Sequence, residues 1–138
     1  MKLTPTQKAD KDLISTHKAP KPCQSPKYLD EVFWVDLDVP FCGKVVSYSC
    51  FSDKYEIIHE DSSYRRQSDR IFSSMHDAID FAIHGHLQSM HDVLQAIEDN
   101  DIKGDIMIQE HLEAVERHKR AIRFLESMEA YNGKTFKK

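Results

Sequence analysis

Histidines carry the clearest chemical signal in this chain. Six of its eight histidines lie between residues 76 and 118, namely His76, His84, His86, His91, His111 and His118. The tetrapeptide Ser-Met-His-Asp also occurs twice, at residues 74–77 and 89–92, and fifteen helical residues would leave the two copies about 60° apart around one helix. Imidazole binds transition metals and titrates near neutral pH, so both kinds of chemistry are open.

Two of these histidines could meet across a pair of helices and form a metal site. In an antiparallel hairpin with a tight central connection, His84 is expected near His118, and His91 near His111. Asp80 precedes His84 by one helical turn. His84, His118 and Asp80 would then offer two imidazoles and one carboxylate to a divalent transition metal. A metal-dependent enzyme or metal sensor is therefore one alternative function.

The interpretation we favour is that these histidines are structural and that the protein has no cofactor. They fall on the flanks of apolar helical stripes, where a flat ring with a polar edge is well accommodated. The second helix also lacks the Glu-x-x-His spacing of carboxylate-bridged metal bundles. A helix interface that responds to pH remains open as well.

A basic cluster is formed by Arg65, Arg66 and Arg70, beside Tyr64. Arginines spaced in this way are typical of solvated loops, but they could also contact phosphates. Direct DNA binding through this loop is the second alternative function.

Acidic residues dominate the body of the chain. Residues 28–131 carry ten Lys or Arg against twenty-one Asp or Glu, a net charge of −11, whereas both ends are basic. Two acidic patches are expected, one on the sheet and one at the tip of the helical hairpin: Asp36, Asp38, Glu56, Glu60, Asp61, Glu98, Asp99, Asp101 and Asp105. Such patches could bind a partner protein with a basic nucleic-acid groove.

Catalytic motifs are not found: the chain has neither a glycine-rich phosphate loop nor a Gly-x-Ser-x-Gly nucleophile motif. We therefore expect a non-enzymatic binding protein with no catalytic residues. The leading hypothesis is an inhibitor or modulator of a nucleic-acid-handling protein, of the kind made by phages and mobile elements.

The fold expected to carry these residues is α+β. Residues 33–39 alternate as a half-buried strand with Phe33 and Val35 facing inward, and Pro40 to Gly43 supply a turn. Further strands are expected over 44–51 and 55–59, which gives a three-stranded antiparallel meander within residues 28–60. Residues 61–72 are interpreted as a loop, or an edge strand with a ragged end.

Two amphipathic helices follow, over 74–98 and 105–131. Their short connection predicts an antiparallel hairpin. Gly85 interrupts the first apolar stripe without changing its phase, so we favour one continuous helix over a break. A stripe wider than three short strands can cover favours a homodimer through the helices.

The remaining expectations concern the ends of the chain and its surroundings. Residues 1–27 are rich in Lys, Thr, Ser and Pro and are expected to be a flexible basic tail, with a single domain over 28–138. The three irregularly spaced cysteines indicate reduced thiols, and no apolar run is long enough for a signal peptide or membrane span. A cytoplasmic location is expected.

Overall fold

The computed structural model describes residues 2–128 and residue 131. Within this part of the chain, two compact units are present. A helical unit contains residues 2–19 and 83–126, and a sheet unit contains residues 20–82 together with 127, 128 and 131. The α+β class is confirmed.

The sheet unit is built on an antiparallel meander with one strand more than expected. Its strands are β1 (Glu31–Asp36), β2 (Val39–Ser49), β3 (Lys54–His59) and β4 (Ser62–Gln67), in the order β1-β2-β3-β4. β4 pairs with β3 along its full length, so the segment interpreted mainly as a loop is an edge strand. A short 3₁₀ helix, Ser68–Arg70, follows it.

The first hairpin turn lies earlier than the sequence suggested. Leu37 and Asp38 form a two-residue turn with φ of 50° and 62°, the left-handed backbone that matches the twist of a tight hairpin. The expected turn at Pro40 to Gly43 is wrong, because these residues lie within β2. The expected phase of β1 is also wrong, since Trp34 is 1% exposed whereas Phe33 is only half-buried.

The sheet is strongly curved. The pairing register places Trp34, Phe41 and Tyr64 on one face. In a flat sheet, strands 4.8 Å apart would separate β1 from β4 by about 14 Å, yet the rings of Trp34 and Tyr64 lie 5.4 Å apart between centroids. The two edge strands therefore approach each other over the aromatic face.

Close packing inside this curve depends on a glycine. A Cβ atom on Gly43 would lie 2.6 Å from Ile57 Cγ2 and 2.8 Å from the carbonyl oxygen of Ile58. Val32, Val45, Ile57 and Ile71 are fully or almost fully buried around Trp34. Only a residue without a side chain fits at position 43 in this arrangement.

The N-terminal segment is helical, which corrects the expectation of a flexible tail. Helix α1 (Pro5–Thr16) begins with a capping box between Thr4 and Gln7, in which each side chain accepts a hydrogen bond from the other residue's backbone N–H. Two ion pairs join α1 to the rest of the helical unit: Lys11 lies 2.7 Å from Glu98, and Asp10 lies 3.1 Å from Lys119.

Helices α2 (Met75–Glu98) and α3 (Asp105–Glu126) confirm the two expected helices. Gly85 lies inside α2 without breaking it. The C-terminal part of α2 runs antiparallel to α3. His86 of α2 contacts His118 of α3, and the two residues lie at almost equal sequence distances from the loop that connects the helices. The expected end of the second helix at residue 131 is wrong, because α3 ends at Glu126 and the described residues 127, 128 and 131 are turn or bend residues. Among the described helices, none is both long and apolar enough to cross a membrane.

Candidate anion-binding site

The three arginines of the basic cluster contribute to one cavity in the sheet unit. Arg65 and Arg66 belong to β4, and Arg70 ends the 3₁₀ helix. The cavity has a volume of about 390 Å³. Its lining consists of Trp34, Val35, Asp36, Lys54, Arg65, Arg66, Gln67, Arg70 and Phe81. Four lining side chains are cationic and one is anionic.

Arg66 is held in place by aromatic rings and by the carboxylate of the cavity. Its guanidinium carbon lies 5.5 Å from the ring centroids of both Trp34 and Tyr64, within the range of cation–π attraction. Arg66 Nη2 also lies 3.4 Å from Asp36 Oδ2, and Arg66 Nη1 donates a hydrogen bond to the carbonyl oxygen of Arg65 at 2.8 Å. These contacts fix the guanidinium at the cavity wall.

Arg65 and Arg70 are the more accessible cations. The Arg70 side chain is 63% exposed and lies over the ring of Phe81 at 5.8 Å, with Asp69 only at the 4.0 Å limit of an ion pair. Arg65 is exposed on β4. The Arg70 guanidinium can therefore turn toward a ligand without breaking a strong internal ion pair, whereas Arg65 lies on the opposite face of β4 from Arg66, beside Glu56 of β3.

Asp53 links the two chain segments that carry Lys54 and Arg70. Its carboxylate accepts hydrogen bonds from the hydroxyls of Ser68 at 2.6 Å and Tyr48 at 2.8 Å, and its carbonyl oxygen accepts one from the Ser68 amide. The two hydroxyl donors, Ser68 above all, lower the pKa of Asp53 below its ordinary value. The start of β3 and the 3₁₀ helix are thereby held together.

Trp34 supplies a further polar atom to this part of the unit. Its indole Nε1 is buried and has no hydrogen-bond partner among the described residues. An indole N–H can only donate, and a buried donor without an acceptor is costly. An acceptor atom from a ligand or a water molecule would satisfy it.

An arrangement of several cations around a small cavity can bind phosphate or carboxylate groups. Arginine presents a planar fork of donors that matches the oxygens of either anion. The sequence singled out the three arginines but missed Lys54 and Phe81, because no spacing pattern links the start of β3 or helix α2 to β4. Lys54 pairs with Gln67 of β4, and Phe81 of α2 lies under the guanidinium of Arg70.

The structure pairs the histidines differently from the expected register. Nδ1 of His86 lies 2.8 Å from Nδ1 of His118, and Nδ1 of His84 lies 2.9 Å from Nδ1 of His17 on the segment expected to be a tail. At these distances one ring of each pair must donate and the other accept. His111 contacts the carbonyl oxygen of Met107 in its own helix rather than forming a described contact with His91.

The residues of the predicted metal site have other described contacts. His84 and His118 contact His17 and His86 respectively, and Asp80 accepts a hydrogen bond from Tyr131 at 3.0 Å. Across residues 2–128 and 131, no group of three His, Cys, Asp or Glu side chains is arranged to hold a metal ion.

Several of the predicted acidic contact residues have internal partners. Asp36 contacts Arg66 and Glu98 contacts Lys11, while Glu56 accepts from two serine hydroxyls and Asp99 accepts from Gln95. The more exposed acids lie in turns: Glu60 and Asp61 between β3 and β4, and Asp101 and Asp105 beside the connection of α2 to α3. Asp38 is half-buried in the first hairpin turn.

No protein-family model, curated protein or solved structure matches the chain. The side chains of the cavity are therefore the basis for a functional proposal.

Proposed function

We propose that this protein is a small non-enzymatic binding protein that takes up phosphate groups of single-stranded nucleic acid in the arginine-lined cavity. One observation carries the proposal: Lys54, Arg65, Arg66 and Arg70 line a single cavity, and the one carboxylate among its described lining residues, that of Asp36, contacts Arg66. A surplus of positive charge concentrated in this way attracts an anion.

The size of the cavity favours a ligand of one or two nucleotides at the binding centre. About 390 Å³ is at the lower end of the volumes typical of small-molecule sites. Arg70 would bind phosphate oxygens, and the half-buried ring of Phe81 supports its guanidinium through a cation–π contact at 5.8 Å.

Charge around the cavity disfavours a duplex. A duplex presents a long, densely charged surface, whereas the body of this chain has a net charge of −11 and acidic turns on the same sheet. A flexible single strand can place one or two phosphates in the cavity and direct the rest of its backbone away from those turns.

Fluorescence anisotropy with a labelled oligothymidylate tests this proposal. The Arg65→Ala, Arg70→Ala variant removes the two accessible cations and is expected to weaken binding at least tenfold at low salt, given ~1–3 kcal/mol for specific contacts to nucleic acid. Lys21→Ala, Lys27→Ala is the matched control, because it removes the same charge from exposed positions of the same unit. The control should bind like the unchanged protein.

Three outcomes contradict the proposal. The first is no binding of the oligonucleotide by the unchanged protein at low salt, and the second is equal weakening by the two variants. The third is tighter binding of a duplex of the same length than of the single strand, which would instead support direct duplex recognition by the arginines.

A second candidate is the modulator of a nucleic-acid-handling protein, of phage or mobile-element type. Its support is that the turns between β1 and β2 and between β3 and β4 lie at the same end of the meander and carry Asp38, Glu60 and Asp61. A basic groove on a partner protein would be attracted to such an end.

Poly-L-lysine serves as the basic probe for this candidate. Replacing Asp38, Glu60 and Asp61 by their amides should weaken its binding more than replacing Asp12, Asp92 and Glu126, which are exposed acids elsewhere. Equal effects would remove the support for a specific acidic surface.

Two further expectations belong to the proposal. We place the protein in a reducing, cytoplasmic compartment, in keeping with three cysteines that form no disulfide. We also retain association of two copies through the helices, for which α3 offers a specific surface.

A further inference from the structure

One exposed face of α3 has a symmetric order of side chains. It consists of Ile106, Glu110, Glu113, Arg117, Arg120 and Phe124, all of which are exposed. At 100° per residue these six positions fall within about 40° of a single line along the helix. Val115, which is 3% exposed, lies on the opposite side, so this face points away from the core of the helical unit.

The order of charges along this face is antisymmetric about position 115. Two acids, Glu110 and Glu113, precede it, and two bases, Arg117 and Arg120, follow it at matching distances. The large apolar residues Ile106 and Phe124 lie at matching distances further out. A second copy of α3 running antiparallel would therefore set every acid opposite a base and every apolar end opposite an apolar end.

We propose that this face of α3 binds the same face of a second copy of the chain, in an antiparallel twofold dimer. Glu110 then lies opposite Arg120 of the other copy, Glu113 opposite Arg117, and Ile106 opposite Phe124. An isologous interface requires this kind of self-complementarity, in which each contact occurs twice. The inference is independent of the arginine-lined cavity, which lies in the other unit.

Exposure of the apolar end at Ile106 supports an occupant for this face. Ile106 is 77% exposed and Phe124 is 56% exposed. Burying two such pairs supplies the apolar contribution, whereas the four charge pairs set the antiparallel register and exclude the parallel one, in which like charges would be opposed.

The dimensions of the face predict a weak dimer. Eighteen residue-to-residue steps separate Ile106 from Phe124 and span about 27 Å of helix, which is roughly 10 Å wide. The resulting contact is smaller than the ~800 Å² per partner of a stable interface. Association is therefore expected to depend on protein concentration and, because of its charge pairs, to weaken as salt is added.

Pairing within one helix is the competing explanation for these charges. Glu113 precedes Arg117 by four residues, a spacing that stabilises a single helix. The two explanations differ in what they require of a partner chain: an intrahelical pair needs none, whereas the dimer needs the acidic half of one copy to meet the basic half of another.

Sedimentation velocity over a range of concentrations, with two charge-reversed variants, separates these explanations. Arg117→Glu, Arg120→Glu makes the central face uniformly acidic, and Glu110→Arg, Glu113→Arg makes it uniformly basic. Each variant alone is expected to stay monomeric where the unchanged protein dimerises, and an equimolar mixture should recover the dimer. Far-UV circular dichroism of each variant checks that its helices are retained.

The recovery in the mixture is the decisive readout, because loss of helix stability in one chain cannot be repaired by another. The proposal is overturned by an unchanged protein that stays monomeric at every accessible concentration. Dimerisation of either variant alone to the same extent as the unchanged protein overturns it too, as does a mixture that stays monomeric while both variants are folded. Oligonucleotide binding by the cavity is expected in all of these proteins.

Discussion

Arg66 Nη2 lies 3.4 Å from Asp36 Oδ2, although β2 and β3 separate their strands in the sheet. Together with the contact of Trp34 and Tyr64, this ion pair joins the two edge strands across the curved face. The cavity proposed to bind phosphate lies at this junction, so the curvature of the sheet and the chemistry of the cavity depend on the same residues.

Replacing Arg66 should therefore affect stability as well as binding. Arg66→Ala removes two cation–π contacts and an ion pair whose carboxylate is 54% exposed, so we expect the free energy of unfolding to fall by about 1–2 kcal/mol. Urea denaturation followed through Trp34, the only tryptophan, measures it. Arg65→Ala is the control and should change stability by less than about 0.5 kcal/mol. Equal effects of the two substitutions on stability would contradict the inference that Arg66 helps to join the two edge strands.

Two glycine substitutions should change the free energy of unfolding in opposite directions. Gly43→Ala places a Cβ 2.6 Å from Ile57 Cγ2 and close to backbone, so it should destabilise the protein by about 2 kcal/mol. Gly85→Ala meets nothing within 4 Å in the interior of α2 and should stabilise by about 1 kcal/mol. Thermal or urea unfolding measures both. A Gly43→Ala substitution that leaves the free energy of unfolding unchanged would show that a Cβ atom can be accommodated beside Ile57 and would contradict the close packing at this position.

Substitutions in the first hairpin turn should increase the stability of the protein. Leu37 is 91% exposed and has φ of 50°, a backbone conformation that costs a leucine roughly 1–2 kcal/mol. Asn-Gly is the preferred pair for such a turn. Leu37→Asn, Asp38→Gly is therefore expected to raise the free energy of unfolding by about 1 kcal/mol. No gain in the urea midpoint would argue against the left-handed turn at these residues.

Attachment of α1 should weaken at alkaline pH. Hydrogen bonds to Glu98 and Asp10 are the main causes that raise the pKa of Lys11 and Lys119 above the ordinary value of 10.5. A raised folded-state pKa gives stability that is complete below about pH 10.5 and is lost as the pH rises through the folded value. Far-UV circular dichroism should show part of the helical signal decline in that alkaline range.

A matched pair of variants isolates these two lysines. Lys11→Ala, Lys119→Ala should make α1 more sensitive to proteolysis at neutral pH, whereas Lys2→Ala, Lys8→Ala removes two exposed lysines and should not. If both variants resist proteolysis like the unchanged protein, the ion pairs do not hold α1.

The periodic spacing of apolar residues predicted the helices and strands that have an apolar face, and it missed the elements that have none. The stripe of α2 and the β-branched residues of β2 and β3 are strong signals. In β4 the curved side carries Ser62, Tyr64 and Arg66, so its polar composition indicates a loop. Helix α1 has no buried residue of its own. It is held by the capping box and by Lys11 and Asp10, whose partners are distant in sequence.

The candidate site was only partly predictable for a similar reason. Arg65, Arg66 and Arg70 are close in sequence and visible as a cluster. Their proximity to Trp34 depends on the curvature of the sheet. This curvature arises from packing at Gly43 and at the aromatic face, and it produces no periodic pattern of residues in the sequence. The histidine pairs show the same limit, because the partner of His84 lies in the segment whose helix was not expected.

The most direct test of the central claim is NMR detection of the arginine side chains during titration with a short oligothymidylate. Phosphate binding in the cavity predicts that the Nε–Hε resonances of Arg65 and Arg70 and the indole N–H of Trp34 shift together and saturate at one oligonucleotide per chain. Those of Arg117 and Arg123 on α3 should stay in place. Shifts of the α3 arginines without shifts in the cavity, or no saturable shift at all, would contradict the account.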